Sequence, residues 1–313
     1  MNGIWLDFER PIIELEKKIE ELKGLKGVDE EVKRLRTQAE KLKKRIYSNL
    51  SRWQRVQLAR HPRRPYPLDI LGFITDDFIE LHGDRRFSDD EAVVAGIAKV
   101  EKYRVAFITQ QKGRDTKEKI RRNFGMPHPE GYRKALRIIR MAAKFEMPVI
   151  TMVDTPGAYP GASAEERGQS DAIAANLFEL STLPVPVIVI ILGEGGSGGA
   201  LAIAVGDRIL MLENAIYSVI SPEGCASILW RDSSKNREAA EALQITAQDM
   251  LKFKIIDEII PEPAGGAHLD FELTAKNVKE ACLRNLDELV QTPVDQLISL
   301  RVKKFQDMGI HKE

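Results

Sequence analysis

The chain contains the stretch Val185-Pro-Val-Ile-Val-Ile-Ile-Leu192, followed at once by Gly193-Glu-Gly-Gly-Ser-Gly-Gly-Ala200. A run rich in Val and Ile is typical of a strand covered on both faces. The glycines after it let the main chain turn sharply and approach a ligand closely. Because apolar residues resume at Ala200, the last glycines are predicted to begin a helix, whose unpaired N–H groups favour negative charge. The stretch therefore predicts an α/β fold with an anion or oxyanion site at a strand end.

The glycines match parts of two nucleotide-binding patterns, but the residues around them do not fit either kind of site. Gly193, Gly195 and Gly198 fit G-x-G-x-x-G, but Gly206 and Asp207 break the following helix after less than two turns, too short for a dinucleotide-binding unit. The phosphate-loop pattern G-x-x-x-x-G-K-[ST] fails because Gly199 stands where the lysine belongs. Neither kind of nucleotide site is expected.

A third pattern leaves an alternative open. The run from Gly195 to Gly199 reads G-x-S-x-G, the nucleophile elbow of serine hydrolases, in the required strand-turn-helix context. Ser197 is then a candidate nucleophile, and its base would be His268 or His311, the only histidines downstream. A tight packing turn without chemistry is the other alternative.

Composition limits the class of protein. The 313 residues are 43% hydrophobic, and 47 Lys and Arg balance 47 Asp and Glu, so a dedicated nucleic-acid binder is not expected. Cys225 and Cys282 are too few for a disulfide framework and lack the C-x-x-C spacing of a zinc site, so we expect no metal in this chain. No apolar run reaches the length of a membrane span, and a cytoplasmic location is expected.

The chain is predicted to have four segments. Residues 1–60 carry a helical stripe with apolar positions from Val32 to Trp53, either an arm packed on its own core or a subunit contact. Residues 61–67 form a Pro- and Arg-rich boundary, 68–262 the main core and 263–313 C-terminal helices.

Strands and helices are predicted to alternate within the main core. The predicted strands are Ala92 to Val100, Arg104 to Gln110, Pro148 to Asp154, Val185 to Leu192 and Arg208 to Leu212. The predicted helices are Gly131 to Phe145 and Ala172 to Leu180. Two adjacent strands before a long helix favour a coiled repeat of ββα units over a simple doubly wound sheet.

Two further strand ends carry candidate binding residues. After the strand ending at Gln110, six cationic side chains within Lys112 to Arg122 could hold phosphates, among them Lys112, Arg114, Arg121 and Arg122. A solvated surface is the alternative. The strand ending at Asp154 leads into Thr-Pro-Gly-Ala-Tyr-Pro-Gly161, whose Gly157 allows a second loop to approach the same ligand.

Long strings of residues resemble one family, the carboxyltransferase alpha subunits of bacterial and plastid acetyl-CoA carboxylase. The resemblance covers nearly the whole chain, including Leu6-Asp-Phe-Glu9 and Ala59-Arg-His-Pro62. Its other strings are Gln111-Lys-Gly-Arg-Asp-Thr-Lys-Glu-Lys-Ile-Arg-Arg-Asn-Phe-Gly-Met126, Asp154-Thr-Pro-Gly-Ala-Tyr-Pro-Gly161, Ala164-Glu-Glu-Arg-Gly-Gln-Ser170, Gly193-Glu-Gly-Gly-Ser-Gly-Gly-Ala200 and Ser218-Val-Ile-Ser-Pro-Glu-Gly-Cys-Ala-Ser-Ile-Leu-Trp230.

The resemblance implies an α/β fold of the crotonase (ClpP-like) type, a superhelix of ββα units, here with an N-terminal helical arm. It implies transfer of a carboxyl group from carboxybiotin on the biotin carboxyl carrier protein to acetyl-CoA, giving malonyl-CoA for fatty acid biosynthesis. Biotin itself then takes the substrate proton, which would explain why no side-chain base stands out. The implied role of the protein is to stabilise oxyanions with fixed N–H groups.

The resemblance also implies site residues and partners. The oxyanion hole falls at the N–H groups of Gly198 and Gly199, with Gly195, Gly196, Gly157 and Ala158 as substrate-binding neighbours. Coenzyme A and biotin are the implied substrate and cofactor. The implied partners are a beta subunit in an α2β2 heterotetramer, the carrier protein and biotin carboxylase, in an ATP-binding holoenzyme. A non-catalytic scaffold subunit stays open as an alternative.

Overall fold

A computed structural model describes residues 5–23, 25 and 27–309 of the chain. The remaining positions of the predicted N-terminal segment, and the end of the C-terminal segment with His311, lie outside the described residues.

Helices precede, interrupt and follow one sheet. The helices are α1 Arg10–Leu22, α2 Asp29–Tyr47, α3 Arg52–Ala59, α4 Pro67–Ile74, α5 Thr116–Arg121, α6 Pro129–Lys144, α7 Ala162–Glu166, α8 Gln169–Ser181, α9 Ser197–Leu201, α10 Pro222–Trp230, α11 Asn236–Leu243, α12 Ala247–Lys252, α13 Phe271–Leu289 and α14 Val294–Gln306. The strands are β1 Asp76–Glu80, β2 Val93–Val100, β3 Tyr103–Gln110, β4 Val149–Thr155, β5 Val187–Gly196, β6 Arg208–Leu212, β7 Ile216–Ser218 and β8 Glu258–Ile260.

The sheet is mixed, with the order β1-β2-β3-β4-β5-β6-β8. Strands β1 to β3 are antiparallel, whereas β3, β4, β5, β6 and β8 run parallel. Strand β6 pairs with the first part of β5, and β7 pairs in parallel with its last residues. Since β4 occupies the other edge of β5, two consecutive strands share one edge, as expected for a coiled array of ββα units.

The main core lies around β4 and β5. Every residue of β4 is buried, and β5 is buried from Val187 to Gly195. Helix α6 packs on β2 and β3 through Ala135, Ile138 and Ile139, all fully buried. Burial on both faces explains why β5 reads as a continuous apolar run instead of an alternating pattern.

The predicted N-terminal stripe is divided between two helices. Helix α2 ends at Tyr47, and α3 begins after Ser51, whose side chain accepts a hydrogen bond from the N–H of Gln54 while the Gln54 side chain accepts one from the N–H of Ser51. Such a capping box starts a new helix even where the apolar spacing continues. Helices α1 and α2 pack on each other through Ile19, Leu35 and Ala39.

Helices α13 and α14 lie in the segment 263–313. Helix α14 is fixed by the fully buried Arg301, which lies 2.7 Å from Asp207 and donates to the carbonyl oxygen of Leu180. The division into domains at residues 61–67 stays a prediction.

Candidate active site

The carboxyl ends of β4 and β5 lie side by side. Val153 pairs with Ile191 and Thr155 with Gly195, so the two glycine-rich runs leave the sheet at one edge. We call residues 154–161 the β4 loop and residues 193–199 the β5 loop. The observed β5 continues to Gly196, because β7 pairs with Glu194 to Gly196; the sequence predicted a strand end at Leu192. The turn therefore falls at Gly196 and Ser197, four residues later than expected.

The two loops touch through their main chains. A Cβ on Gly196 would lie 2.2 Å from the carbonyl oxygen of Pro156, and one on Gly199 would lie 2.3 Å from the nitrogen of Ala158. Real Cβ atoms do not approach so closely, so both positions require glycine. The β4 loop is itself held by Thr155, whose Oγ1 accepts from the N–H of Gly157 at 3.1 Å. The structure thus brings together Gly195, Gly196, Gly199, Gly157 and Ala158.

Helix α9 begins directly after the β5 loop. Its first residue, Ser197, has a φ of 53°, a left-handed conformation that is uncommon for a non-glycine residue and marks a tight turn. Gly198 and Gly199 occupy the first turn, where N–H groups have no intrahelical acceptor. The carbonyl oxygen of Gly199 points into the core, where it accepts from Gln110 Nε2 at 2.6 Å. Gln110 thus fixes the peptide that follows the candidate oxyanion donors.

An apolar cleft of about 570 Å³ opens beside the start of α9. Its walls come from β6, β7, α12 and the C-terminal end of α14. The lining residues are Ser197, Gly198, Leu201, Ile209, Tyr217, Ser218, Val219, Leu243, Ile245, Met250, Ile255, Phe305, Met308 and Gly309. Burial raises the pKa of the Tyr217 hydroxyl to about 12, so this side chain is neutral at physiological pH. The cleft therefore presents an uncharged, mostly apolar surface beside Gly198.

The candidate phosphate ligands are in two places. Lys112 lies between the loops, 2.8 Å from both Asp154 and Glu194. Arg114 forms an ion pair with Asp69 and stacks on Tyr66, with its guanidinium carbon 4.5 Å from the ring centroid. Both line a second cavity of about 210 Å³ with Pro156 and Glu194.

Arg121 and Arg122 turn away from that cavity. Arg121 pairs with Glu91 at 3.2 Å, and the buried Arg122 binds Glu118 at 2.9 Å and the carbonyl oxygen of Glu91 at 2.8 Å. A phosphate would have to displace a carboxylate from Lys112 or Arg122. The geometry favours a structural role for those two residues over phosphate binding.

A family model described as acetyl co-enzyme A carboxylase carboxyltransferase-like matches residues 5–309. The chain belongs to this family. A relative from Geobacter metallireducens, named acetyl-coenzyme A carboxylase carboxyl transferase subunit alpha, is 59% identical over 308 residues, 97% of each chain. A relative of the same name from Methylococcus capsulatus is 52% identical over 318 residues, covering 100% of this chain and 99% of its own.

Solved structures of a transcarboxylase and of a malonate decarboxylase share the fold of this family member. A transcarboxylase 12S structure gives a TM-score of 0.60 at 19% identity, over 73% of this chain and 42% of the transcarboxylase chain. A Pseudomonas malonate decarboxylase hetero-dimer gives a TM-score of 0.57 at 16% identity, over 71% of this chain and 92% of the other. At these identities the likeness shows the fold alone. It confirms the α/β class expected for the carboxyltransferase family.

The histidines that the structure describes are engaged with side chains other than Ser197. Of the histidines within the described residues, His82 lies 3.0 Å from Asp89, and His128 packs on Tyr159 at 4.1 Å between ring centroids. His61 and His268 stack on each other at 3.9 Å between ring centroids. The family match gives the hydrolase alternative no support, and His311 lies outside the described residues.

Within the described ranges, no group of three or more His, Cys, Asp or Glu side chains could hold a metal ion. In the same part of the chain, no helix combines the length and the apolar character needed to span a bilayer.

Sequence reasoning missed most of the cleft. Tyr217 and Val219 belong to the short strand β7 and its end, and Phe305 and Met308 come from the C-terminal helix. A three-residue strand carries almost no periodic signal, and the meeting of α14 with β7 depends on tertiary packing. The available signal was the string Ser218-Val-Ile-Ser-Pro-Glu, which belongs to the family resemblance.

Proposed function

We propose that the chain is the alpha subunit of a split carboxyltransferase. In this proposal it takes the carboxyl group of carboxybiotin on a carrier protein and transfers it to acetyl-CoA, giving malonyl-CoA for fatty acid biosynthesis. Relatives that carry this subunit name over their whole length support the proposal. The comparisons give the alternative of a non-catalytic scaffold no support.

One structural observation carries the catalytic part. Gly198, in the first turn of α9, lines the apolar cleft, and Gly199 follows against the β4 loop. A cleft with apolar walls and main-chain N–H groups at one end fits an uncharged ring or thioester that presents a carbonyl oxygen. Gly195, Gly196, Gly157 and Ala158 contribute main chain to the same contact between loops.

The proposed chemistry requires little of the side chains. Bound carboxybiotin supplies the carboxyl group and the acceptor for the substrate proton. The N–H groups of Gly198 and Gly199 stabilise the negative charge that develops on a carbonyl oxygen, each donor being worth roughly 3 kcal/mol. The apolar cleft excludes water, which strengthens these hydrogen bonds. Coenzyme A phosphates have Arg114 and Arg121 as candidate contacts.

The remaining assignments concern the assembly. The proposed partners are a beta subunit, in a heterotetramer with two copies of each chain, the biotin carboxyl carrier protein and biotin carboxylase. The proposed location is the cytoplasm. Because the beta subunit supplies the other half of the active site in this proposal, the isolated chain should be inactive.

The deciding experiment is reverse carboxyl transfer, the biotin-dependent conversion of malonyl-CoA to acetyl-CoA. It is measured with this chain alone, with a candidate beta subunit alone and with the mixture. Activity confined to the mixture supports the proposal. A well-formed complex without activity would overturn it. Equal activity of the beta subunit alone would favour the scaffold.

A further inference from the structure

Four charged side chains meet between the two loops: Lys112, Asp154, Glu194 and Arg60, together called the Lys112 cluster. Lys112 Nζ lies 2.8 Å from Asp154 Oδ1 and 2.8 Å from Glu194 Oε1. Arg60 Nε lies 2.6 Å from Glu194 Oε2. Asp154 is 1% exposed and Glu194 8%, so the carboxylates are shielded from solvent.

Each member of the Lys112 cluster belongs to a different segment. Arg60 follows α3, Lys112 follows β3, Asp154 lies on β4 and Glu194 lies on β5. The backbone N–H of Glu194 also donates to Asp154 Oδ1 at 2.9 Å. The cluster therefore joins the ends of three neighbouring strands at the point where the β4 and β5 loops begin.

The charges of the Lys112 cluster support one another. Burial alone would raise the pKa of the Glu194 carboxyl, but Lys112 and Arg60 outweigh burial and lower it to about 2. Burial alone would lower the pKa of Lys112, but Asp154 and Glu194 raise it above its usual value. Glu194 and Lys112 are thus charged at neutral pH. Without the Glu194 carboxylate, Lys112 would keep its ion pair with Asp154 and Arg60 would keep one with Glu223, but both cations would lose their ion pair to the β5 loop.

The β5 loop needs such an external support. Within Gly193–Ala200, Glu194 is the only residue with a charged side chain, and most of the others are glycines. Glycine permits many main-chain conformations, so the position of the N–H groups of Gly198 and Gly199 must be fixed by contacts around them. Gln110 holds the helix side of the loop, and on the strand side the Glu194 side chain is held by Lys112 and Arg60.

We infer that Glu194 is a positioning residue for the oxyanion site, acting through its ion pairs with Lys112 and Arg60. These pairs hold the β5 loop against the β4 loop, so that the N–H groups of Gly198 and Gly199 converge on one point. The inference rests on the proposed function for its catalytic meaning. It assigns Lys112 to the support of the site instead of to a substrate phosphate.

Glu194→Gln tests the inference, because it keeps the shape of the side chain and removes its charge. In the assembled enzyme we expect kcat of reverse transfer to fall by about 10- to 100-fold, since small displacements of catalytic groups have effects of this size. The KM for malonyl-CoA should change much less. In the isolated chain, amide hydrogen exchange of a peptide covering residues 193–199 should become faster, a readout that needs no activity.

Glu130→Gln is the matched control. Glu130 is also a buried carboxylate bound by two cations, Arg133 and Arg167, each at 2.8 Å. Among the described residues, its hydrogen bonds reach neither glycine-rich loop. We expect this variant to lose thermal stability to a similar degree as Glu194→Gln while keeping its kcat and the exchange rates of residues 193–199.

The outcomes separate the inference from the proposed function. If the wild-type complex is active and Glu194→Gln changes neither kcat nor the hydrogen exchange of residues 193–199, the inference is overturned and the proposed function stands. The same holds if Glu194→Gln and Glu130→Gln lose kcat to the same degree. Absence of activity in the wild-type complex would overturn the proposed function. In that case the hydrogen exchange of the two variants still decides whether Glu194 positions the loop.

Discussion

A Cβ atom on Gly199 would lie 2.3 Å from the backbone nitrogen of Ala158, which makes the contact between the β4 and β5 loops one of main chain against main chain. On Gly198, by contrast, the nearest atom to such a Cβ is Ile173 Cδ1 at 3.9 Å. Two adjacent glycines of the candidate oxyanion site therefore have different structural requirements.

Gly199→Ala should destabilise the chain and abolish carboxyl transfer together. The added methyl group forces the loops apart, and overpacking of this kind costs about 1–3 kcal/mol. Gly198→Ala is the matched variant, with stability within about 0.5 kcal/mol of wild type because space is available. Thermal unfolding of both proteins measures the difference, and equal stability of the two would show that the loops do not touch as described. A side chain at Gly199 would thus affect folding as well as the approach of a substrate carbonyl.

Ser197→Ala should retain carboxyl transfer. In the proposed function Ser197 is a turn residue, and its hydroxyl makes no chemical step. The variant is measured in the reverse reaction with the beta subunit, and wild-type protein is assayed in parallel for hydrolysis of an activated ester. Complete loss of transfer in Ser197→Ala, or ester hydrolysis that this substitution removes, would contradict the backbone mechanism.

The sequence predicted the strands whose bounds are set by neighbouring residues in the chain. Strand β6 has the predicted bounds, and β2, β3 and β4 begin and end within one residue of their predicted positions, because long apolar runs with turns at both ends are unambiguous. The end of β5 was wrong by four residues, since it is set by the partner strand β7 and not by the glycines themselves. Strands β7 and β8 were missed because three residues carry little pattern, and β1 was missed because three of its five residues are acidic, namely Asp76, Asp77 and Glu80.

The candidate site also has features that the sequence predicted and features that it could not predict. The glycine-rich ends of β4 and β5 could be placed at one edge from the rule that parallel strands end together. The partner of a charged side chain could not be predicted: Lys112 looked free for a phosphate, and it lies between Asp154 and Glu194, residues 42 and 82 positions further along the chain. Ion pairs of this kind depend on the tertiary fold, which no local pattern encodes.

The stability of the chain should fall below neutral pH because of His268. Burial, the neighbouring His61 and the cations Arg63 and Arg64 lower the pKa of His268 to about 3, from 6.5 for a free side chain. Between these values the unfolded chain binds a proton that the folded chain excludes. The free energy of unfolding therefore decreases as pH falls from 6.5, by at most about 1.4 kcal/mol per pH unit from this group.

His268→Phe tests this dependence, since an aromatic ring can keep the stack on His61 without titrating. Urea unfolding is measured for both proteins between pH 5 and pH 8.5. The variant should lose less stability than wild type below pH 6.5, and the two should change in parallel above it. Parallel curves over the whole range would show that His268 does not carry the effect.

Arg301→Met should be among the most destabilising single substitutions of the chain. The guanidinium donates to Asp207 at 2.7 and 2.8 Å and to the carbonyl oxygens of Leu180, Leu183 and Val185 at 2.7 to 2.9 Å. Removing it leaves a buried carboxylate without its cation, which costs about 3–5 kcal/mol. Lys303→Met, on an exposed face of the same helix, is the control and should change stability little.

Arg301→Met should also change the apolar cleft, because Phe305 and Met308 follow Arg301 in the sequence and line that cleft. Loosening α14 opens this wall to water. Binding of an environment-sensitive apolar dye should therefore increase in Arg301→Met under conditions where the protein is still folded, and Lys303→Met should match wild type. Unchanged dye binding in a destabilised but folded Arg301→Met protein would mean that Phe305 and Met308 are held by other contacts.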